Sequence, residues 1–421
     1  MKHVILGNGP AGVIAAETIR KHAPRDEIVL LGDEPEPPYS RMAIPYLLSG
    51  GIGEEGTYLR KGKDHFAVQK ITLRTGRAKS VDGTKRAVVL DDGTALAFDR
   101  LLIATGSSPI RPPIEGIDLP GVHPCWTLAD ARKIMALAKP GARVLQMGAG
   151  FIGCIIMEAL ANRGVALTVV EMGDRMVPRM MGEGAGGMIK RWVESKGVKV
   201  HTSSRVEAIQ KKGNALSVRL SNGAKVDADL VISATGIKPN TGFLQSSGVA
   251  CAHGVLTDEY LQTNVQGIFA AGDCAETLDL VSGKHVISAI QPNAADEAIC
   301  AAMNMTGKKT VLRRVTQLNV LDTLGLVSSS FGAWQGVPGG EHAEAVDAHN
   351  YRFLRLEFSG DVLVGANSVG LTDHVGVLRG LIQSRVKLGA WKDRLLRNPL
   401  GLMEAYLATA QAQSAWGLTR A

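Results

Sequence analysis

The 421-residue chain is 45% hydrophobic and 21% charged, an ordinary globular composition that excludes an intrinsically disordered or collagen-like protein. Its net charge of +7 favours acidic partners, but the dense basic runs typical of nucleic-acid binding are missing. The longest apolar stretch, residues 144–157, contains three glycines and is too short for a transmembrane helix, so no membrane span is predicted.

A glycine-rich turn lies at the centre of the first predicted unit. A strand over residues 3–6 leads into the turn 7–12, Gly-Asn-Gly-Pro-Ala-Gly. A helix over residues 13–21 and a second strand over residues 28–31 follow. In such a G-x-G-x-x-G turn the glycines permit a tight bend, close approach to a pyrophosphate and close helix packing, and the helix N-terminus offers N–H groups to the phosphates. Asp33, 21 residues past the third glycine, is the acid expected to bind a ribose.

The next predicted elements are a hairpin and an apolar strand. Residues 86–90 and 95–98 flank the turn Asp91-Asp92-Gly93, which is typical of a β-hairpin. The apolar strand that follows ends on residues 104–106, Ala-Thr-Gly, and the prolines beyond it predict a domain boundary.

The same order of elements begins again 141 residues after the first turn. A strand over residues 143–147 leads into the turn 148–153, Gly-Ala-Gly-Phe-Ile-Gly, and then into a helix that continues to residue 161. A further strand over residues 166–170 ends at Glu171, and a later apolar strand again ends on Ala-Thr-Gly, at residues 234–236. Two dinucleotide sites are therefore predicted, and with them electron transfer between two dinucleotides.

After about residue 315 the pattern changes and predicts a third domain. Alternating strands over residues 353–358 and 362–366 are followed by basic helices from Val375 on.

The cysteines are scattered along the chain, at Cys125, Cys154, Cys251, Cys274 and Cys300. They form no C-x-x-C pair and no zinc-site spacing with histidine, so neither a disulfide framework nor a metal site is predicted. The chain runs from Met1 directly into a strand without the features of a secretory leader, and we expect a cytoplasmic protein whose thiols stay reduced.

The order of four motifs resembles the flavin-dependent pyridine-nucleotide oxidoreductases of the glutathione-reductase fold. These motifs are the two glycine-rich turns, the strand ending on residues 104–106, and residues 267–274, Gly-Ile-Phe-Ala-Ala-Gly-Asp-Cys. The resemblance covers about residues 1–315. Residues 33–41, Asp-Glu-Pro-Glu-Pro-Pro-Tyr-Ser-Arg, are similar to the branch that contains ferredoxin and rubredoxin reductases, nitrite reductase flavin domains and apoptosis-inducing factor.

The resemblance implies an α/β fold with two Rossmann-like dinucleotide-binding domains and a C-terminal α+β interface domain. FAD would occupy residues 1–110 with 240–315, NAD residues 111–239, and the interface domain residues 316–421. The residues implied to hold FAD are Gly7, Gly9, Pro10, Ala11, Gly12, Asp33, Glu34, Arg41, Ala78, Ala104, Thr105, Gly106, Gly272 and Asp273. Those implied to hold NAD are Gly148, Gly150, Phe151, Ile152, Gly153, Glu171 and Gly236.

Three of these residues receive specific roles from the resemblance. Asp273 would contact the ribityl or pyrophosphate part of FAD, Arg41 the phosphates, and Ala78 the adenine side through its backbone. In the NAD site, Glu171 would accept hydrogen bonds from the ribose hydroxyls and repel a 2′-phosphate, which favours NADH over NADPH. Arg175, close by in sequence, argues in the opposite direction.

The implied activity is that of an FAD-dependent NAD(P)H oxidoreductase. Hydride would pass from NADH to the flavin, and electrons would leave singly to a redox protein such as ferredoxin or rubredoxin. Two alternatives remain open: an NADH oxidase or diaphorase that uses oxygen or quinones, and an NADH-sensing flavoprotein whose turnover is incidental. No catalytic acid or base is predicted, because the cofactor carries the chemistry.

Two positions depart from the pattern of related enzymes. Met42 stands where coenzyme A disulfide reductases carry their redox cysteine, and a thioether cannot form a thiolate. Ile155 stands where many relatives carry a glutamate that contacts the nicotinamide. Glu158, one turn later, either compensates or faces another helix, and Cys154 is expected to pack in the core.

The C-terminal region contains a basic amphipathic stretch. Its basic members are Arg379, Arg385, Lys387, Lys392, Arg394 and Arg397, interleaved with Leu381, Leu388, Trp391 and Leu395. Such a surface would attract an acidic small redox protein, or would be the solvated side of helices that cover a domain or dimer interface. Trp391 and Trp416 are expected to be core or interface residues, and His285 and His374 either structural residues or neighbours of the flavin.

Overall fold

The computed structural model describes residues 1–312 and 315–411, apart from the side chains of residues 410 and 411. Trp416 lies outside the described residues. The chain forms two units, each assembled from two segments. The first unit combines Met1–Ile110 with Ile237–Val315, and the second combines Arg111–Gly236 with the chain from Thr316 onward.

The first two of these segments in chain order hold sixteen strands and six helices. The first segment contains strands β1 (Lys2–Leu6), β2 (Glu27–Gly32), β3 (Ile71–Thr75), β4 (Ala78–Asp82), β5 (Ala87–Leu90), β6 (Ala95–Ala97), β7 (Arg100–Ile103) and β8 (Ser107–Pro109), and helices α1 (Pro10–His22), α2 (Ile44–Leu48) and α3 (His65–Val68). The second contains β9 (Val122–Pro124), β10 (Arg143–Met147), β11 (Ala166–Val170), β12 (Lys199–His201), β13 (Val206–Lys212), β14 (Ala215–Leu220), β15 (Lys225–Ala228) and β16 (Leu230–Ser233), and α4 (Leu128–Leu137), α5 (Phe151–Ala161) and α6 (Glu183–Ser195).

The third segment contains β17 (Ile237–Pro239), β18 (Val255–Leu256), β19 (Ile268–Ala270), β20 (Ala275–Leu278), β21 (His285–Val286) and α7 (Gln291–Met305). The last contains β22 (Leu318–Thr323), β23 (Leu326–Gly332), β24 (Glu341–Asp347), β25 (Arg352–Ser359) and β26 (Val362–Val369), with α8 (Val375–Ser384), α9 (Ala390–Arg397) and α10 (Leu402–Tyr406). No helix among these described residues is both long and apolar enough to cross a membrane.

A parallel sheet forms the centre of the first unit, in the order β19-β7-β1-β2-β3. Strands β1 and β2 are nearly continuous apolar runs because both of their faces are buried, as is typical of the inner strands of a parallel sheet. Helix α1 buries Ala15, Ala16 and Ile19 and packs against α7. The predicted strand–turn–helix–strand unit is confirmed, and β5 and β6 form the hairpin predicted around residues 91–93.

The second unit contains a second parallel sheet, in the order β12-β11-β10-β16-β9. Strands β10 and β11 have the bounds that the sequence predicted, residues 143–147 and 166–170. The predicted α/β class with two Rossmann-like sheets is therefore confirmed.

The same unit also contains an antiparallel C-terminal sheet, in the order β22-β23-β26-β25-β24. Strands β25 and β26 cover the two strands predicted at residues 353–358 and 362–366. Helix α5 packs against β22, so the C-terminal sheet and the second parallel sheet lie together in this unit. The three predicted domain boundaries stay a prediction.

Candidate dinucleotide-binding sites

The three glycines of the first turn have three different surroundings. Gly7 has φ +110°, and a Cβ there would lie 2.0 Å from the carbonyl oxygen of Ala104. A Cβ on Gly12 would lie 1.8 Å from the carbonyl oxygen of Gly7, whereas a Cβ on Gly9 would meet no atom within 4 Å. The first and third glycines are therefore required by packing, and the second leaves open space at the N-terminus of α1, which begins at Pro10.

The Ala-Thr-Gly segment after β7 closes over this turn. Ala104 donates its backbone N–H to the carbonyl oxygen of Leu6 at 2.8 Å, next to Gly7. The Thr105 hydroxyl donates to the carbonyl oxygen of Asn240 at 2.8 Å, and the Asn240 amide donates to the carbonyl oxygen of Thr105 at 2.9 Å. Gly106 follows with φ +64°. The two segments of the first unit are thus joined beside the turn.

Gly272 and Asp273, in the second segment of this unit, lie beside the first glycine-rich turn. Gly272 has φ +79°, and a Cβ there would lie 3.3 Å from the Cβ of Ala11, so the backbone passes beside the start of α1. The Ser107 hydroxyl donates to Asp273 Oδ2 at 2.8 Å. Burial raises the pKa of Asp273, while the Ser107 hydroxyl and the charge of Arg41 oppose that rise.

The acids after β2 have different partners. The Glu34 carboxylate accepts hydrogen bonds from the Tyr39 hydroxyl at 2.6 Å and from Arg41 Nη2 at 2.7 Å. Asp33 is 54% exposed, and its Oδ2 lies 3.9 Å from Arg77 Nε. Asp33 is therefore the acid that remains open to a ribose, whereas Glu34 holds Arg41 in place.

Ala78, implied to contact the adenine side, is the first residue of β4 and pairs with Leu90. Two residues earlier, Gly76 donates its backbone N–H to the carbonyl oxygen of Gly32 at 2.9 Å. Ala78 therefore lies near the end of β2, where Asp33 begins the next loop.

The second turn repeats the arrangement of the first. Gly148 has φ +97°, and a Cβ there would lie 2.3 Å from the carbonyl oxygen of Ala234, the counterpart of Ala104. A Cβ on Gly153 would lie 2.5 Å from the carbonyl oxygen of Gly148, and one on Gly150 would meet nothing within 4 Å. Gly236, in the Ala-Thr-Gly segment, has φ +112°. The repeated Ala-Thr-Gly segment thus has a physical role, because its alanine carbonyl packs on the first glycine of each turn.

Glu171 lies at the end of β11, beside the second turn. Its Oε2 accepts the backbone N–H of Ala149 at 2.7 Å, and its Oε1 accepts the backbone N–H of Gly173 at 2.7 Å. Arg175, which in the sequence argued against a preference for NADH, donates to Asp174 Oδ1 at 2.7 Å and to the carbonyl oxygen of Met181 at 2.8 Å. The carboxylate is therefore oriented toward the turn, and the arginine has protein partners.

Gln146 is a site residue that the sequence pattern did not reveal. It is fully buried in β10, and its amide donates to the carbonyl oxygens of Gly148 and Gly153, both at 2.9 Å. Its Oε1 has no hydrogen-bond partner among the described residues. The sequence contained one signal for this residue, an amide side chain in an otherwise apolar strand. The side chain fastens the first and third glycines of the second turn to each other.

Ile155, one of the two positions that depart from related enzymes, lies on α5. Phe151, Ile152 and Ile155 are partly exposed along one side of this helix. Glu158 faces the turn between β22 and β23, where burial and the charge of Asp322 raise its pKa. The predicted alternative that Glu158 faces another helix is wrong in detail, because its neighbour is a strand turn.

Four of the five thiols are buried, whereas Cys251 is exposed. Burial raises the pKa of Cys125, Cys154 and Cys300 to about 12 and that of Cys274 to about 11. Cys154 is fully buried, which confirms its expected packing role. Met42 is 45% exposed in a short turn after Ser40. A thioether at this position cannot form the thiolate that disulfide chemistry needs.

The remaining residues singled out by the sequence are two histidines and a tryptophan. His285 Nε2 lies 2.9 Å from the carbonyl oxygen of Thr257, consistent with a structural role. His374 lies just before α8, and its Nδ1 is buried without a partner among the described residues. Trp391 is half-buried beneath Arg394, whose Cζ lies 4.5 Å from the centre of its ring.

The basic stretch has the predicted amphipathic arrangement. Its leucines are buried, namely Leu378, Leu381, Leu388 and Leu395. Five of its basic residues are exposed, namely Arg379, Arg385, Lys387, Arg394 and Arg397, and Lys392 pairs with Glu341. We call the five exposed residues the basic surface.

The residues of the two turns fit dinucleotides. In each turn the second glycine leaves room for a pyrophosphate at a helix N-terminus, while the other two glycines are closed by backbone. The first turn has Asp273 beside it and the second has Glu171. The placement of FAD at the first turn and NAD at the second is implied by the family resemblance and stays a prediction.

A family model described as pyridine nucleotide-disulphide oxidoreductase matches residues 1–298. The NADH-dependent phenylglyoxylate dehydrogenase subunit epsilon of Aromatoleum evansii is 32% identical over 405 residues, which are 95% of this chain and 96% of that protein. Rhodocoxin reductase of Rhodococcus erythropolis is 34% identical over 318 residues, 75% of this chain and 74% of that protein.

A similar solved structure is the ferredoxin reductase for the CYP199A2 system from Rhodopseudomonas palustris. It superposes with a TM-score of 0.83 at 26% identity, over 91% of this chain and 94% of that one. The similarity therefore includes the C-terminal region as well as the two Rossmann-like sheets.

Proposed function

Because this chain belongs to the pyridine nucleotide-disulphide oxidoreductase family, we propose that it carries electrons from NADH through FAD to a ferredoxin-type protein. The chain is an FAD-dependent NAD(P)H oxidoreductase, and its relatives include ferredoxin reductases. The preference for NADH, the acidic redox partner and the cytoplasmic location are the finer parts of this proposal.

The proposal assigns FAD to the first turn and NAD to the second. Gly7, Gly9, Pro10, Ala11 and Gly12 would hold the FAD pyrophosphate at the start of α1, and the residues predicted around them would hold the rest: Asp33, Glu34, Arg41, Ala78, Ala104, Thr105, Gly106, Gly272 and Asp273. The NAD side would be held by Gly148, Gly150, Phe151, Ile152, Gly153, Glu171 and Gly236. The open second glycine in each turn supports a pyrophosphate at both places. The order of the two turns in the family resemblance assigns FAD to the first and NAD to the second.

When bound, FAD supplies hydride acceptance from NADH and release of electrons one at a time. The protein orients the reactants for this chemistry. Asp273, fixed by Ser107, and Arg41, fixed by Glu34, would set the position of the flavin nucleotide. Glu171, fixed by two backbone N–H groups, would set the ribose of NADH and repel the 2′-phosphate of NADPH.

The basic surface supports an acidic redox protein as the electron acceptor. Exposed arginine and lysine side chains attract an acidic partner through long-range electrostatics and raise the rate of association. Two of the relatives are ferredoxin–NAD(+) reductases of dioxygenase systems, in Paraburkholderia xenovorans and Pseudomonas putida. A homodimer through the same helices remains the competing use of this surface.

A second candidate is a flavoprotein subunit of a larger dehydrogenase. It is favoured by the similarity to the phenylglyoxylate dehydrogenase subunit, which extends over 95% of this chain and 96% of that one. In that case the redox partner is another subunit of the same enzyme. Purification of the endogenous protein under anaerobic conditions distinguishes the two, because a separate reductase elutes alone and a subunit elutes in a stable complex.

An anaerobic titration with NADH, and separately with NADPH, tests the proposed function. We expect a flavin absorbance that bleaches with about one equivalent of NADH and responds less to NADPH. Electron transfer is then measured with a purified [2Fe–2S] ferredoxin and, separately, with oxygen. Ferredoxin reduction that far exceeds oxygen consumption supports the proposal.

Other outcomes identify the alternatives. Oxygen or quinone reduction at a comparable rate without a protein partner indicates an oxidase or diaphorase. Slow flavin reduction with every acceptor, together with an NADH-dependent change of oligomeric state, indicates a sensing flavoprotein. Absence of bound flavin contradicts the proposal.

A further inference from the structure

Glu297, on α7, is a buried carboxyl group at the proposed FAD site to which the sequence assigned no role. Its side chain is 1% exposed. Its Oε2 accepts the backbone N–H of Gly272 at 2.7 Å, and its Oε1 accepts the hydroxyl of Thr277 at 3.2 Å. Gly272 directly precedes Asp273, so this hydrogen bond ties the backbone of the Gly-Asp pair to Glu297.

The charged groups that act on Glu297 are acidic. Asp273, in the loop after β19, and Asp296, on the same helix, both disfavour its ionised form. Together with burial, which is the largest cause, they raise the pKa of Glu297 to about 8, against the hydrogen bonds from the Gly272 N–H and the Thr277 hydroxyl, which favour the carboxylate. Cys300, one turn later, is a buried thiol whose own pKa is raised to about 12, so it stays neutral.

The charged side chains of the elements packed around α7 have other partners or, like Lys21 of α1, are exposed. On α1, Glu17 pairs with Arg60 and His65, and Arg20 donates to main-chain carbonyl oxygens, including that of Gln69. On β20, the Glu276 carboxylate accepts the backbone N–H of Gly254. Neither element supplies the cation that a buried carboxylate needs.

We propose that Glu297 is a proton-linked positioning residue for FAD, which holds the Gly272–Asp273 backbone when protonated and weakens FAD binding when it ionises. This inference rests on the proposed placement of FAD at the first turn. The protonated carboxyl can accept the Gly272 N–H and donate its own proton to the Thr277 hydroxyl oxygen. Loss of that proton to solvent would leave a buried negative charge behind Asp273, which would disfavour binding of the negative FAD diphosphate proposed at the first turn.

The dissociation of FAD from the purified holoenzyme, without NADH or any acceptor, tests this inference. Free FAD is followed by its fluorescence after dilution, from about pH 6.5 to about pH 9.5, a range that brackets the ionisation. We expect the Kd for FAD to rise with pH, approaching about tenfold per pH unit above the ionisation, because one proton is linked to binding.

The variant Glu297→Gln keeps the size and the acceptor oxygen of the side chain but cannot ionise. Its Kd for FAD should stay near the low-pH value of the wild-type protein across the whole range. The matched control is Asp296→Asn, which removes a charge from the exposed side of the same helix. This control should keep a rise of the Kd with pH, displaced to lower pH because Asp296 no longer disfavours the ionised form of Glu297.

Two results overturn the inference. One is a wild-type Kd for FAD that does not change with pH, which requires no variant. The other is a Glu297→Gln protein that binds FAD with the wild-type pH dependence. Failure of the proposed function is distinguished from failure of this inference, because the flavin spectrum at neutral pH and its bleaching by NADH are recorded on the same preparation.

Discussion

Glu171 and Ala149 are joined by a 2.7 Å hydrogen bond, in which the backbone N–H of the second glycine-rich turn donates to the carboxylate at the end of β11. The other carboxylate oxygen accepts the backbone N–H of Gly173. Each carboxylate oxygen has a further lone pair, so the group is fixed in place and can still accept ribose hydroxyl groups. The proposed preference for NADH would therefore depend on an acid that the protein itself orients.

Replacement of this acid should relax cofactor selectivity. We expect Glu171→Ala to weaken NADH binding by about tenfold to a hundredfold, the loss of one or two charged hydrogen bonds, and to weaken NADPH binding much less. Dissociation constants for both nucleotides measure the effect. Glu194→Ala, an exposed acid on α6, is the control. Unchanged selectivity in Glu171→Ala would remove this residue from the NAD site.

The glycines of the second turn should separate binding from folding. Gly150→Ala adds a methyl group where no protein atom lies within 4 Å, so we expect an unchanged melting temperature but NADH binding weakened at least about tenfold. Gly153→Ala puts the methyl group 2.5 Å from a backbone oxygen and should cost about 1–3 kcal/mol of folding free energy. Nucleotide titration and thermal unfolding of both variants test this contrast, and equal melting temperatures would contradict it.

Gln146 offers a test of the second turn from its buried side. Gln146→Leu removes both donors to the Gly148 and Gly153 carbonyl oxygens and should lower the free energy of unfolding by about 1–3 kcal/mol. NADH binding should weaken while the flavin spectrum stays unchanged. Urea unfolding is the measurement, and Gln210→Leu, an exposed position on β13, is the control. Wild-type stability and NADH affinity together would show that the amide has no role.

The basic surface should control the encounter with the redox partner. We expect the double variant Lys387→Glu with Arg394→Glu to raise the KM for a [2Fe–2S] ferredoxin by about tenfold or more at low salt, with the NADH–ferricyanide rate unchanged. The wild-type rate with ferredoxin should fall as ionic strength rises. Lys211→Glu, on the exposed edge of β13, is the control. A salt-independent ferredoxin rate would exclude this surface from docking.

The buried Glu297 should also make stability depend on pH. Its pKa is raised from about 4.5 to about 8, so the folded protein holds this proton more tightly than the unfolded chain does. Stability should therefore fall as pH rises from about 4.5 to about 8 and then level off. The difference between the melting temperatures of wild-type and Glu297→Gln proteins, followed over this range, isolates the effect. A constant difference would show that the carboxyl does not titrate in this range.

The sequence predicted the parts of the sites that depend on neighbouring residues. Each glycine-rich turn belongs to a strand–turn–helix–strand unit of about 30 residues, so the pattern alone located both turns, their strands and the acids that follow them. Gln146 could have been suspected, because a polar side chain interrupts an apolar strand. Its two acceptors, however, are set by the path of the turn.

The remainder of the first site depends on residues far apart in the chain. Ser107 and Asp273 are separated by 166 positions, and Glu297 and Gly272 by 25. No periodicity records such pairs, because they form only when β7, β19 and α7 have assembled. Glu297 in particular lies in an ordinary helical pattern that contains no sign of its burial against a glycine N–H.

The first unit combines two segments that are separated in the chain, and this separation determines the order in which the two parallel sheets are synthesised. Strands β9, β10, β11, β12 and β16 all lie within Arg111–Gly236, so the second parallel sheet is complete once that stretch has left the ribosome. The first sheet still lacks its edge strand β19 at that stage, together with Asp273 and α7. The unit that contains the N-terminus is therefore completed after the second parallel sheet, and the residues proposed to hold FAD come together only after β19 and Asp273 have been translated.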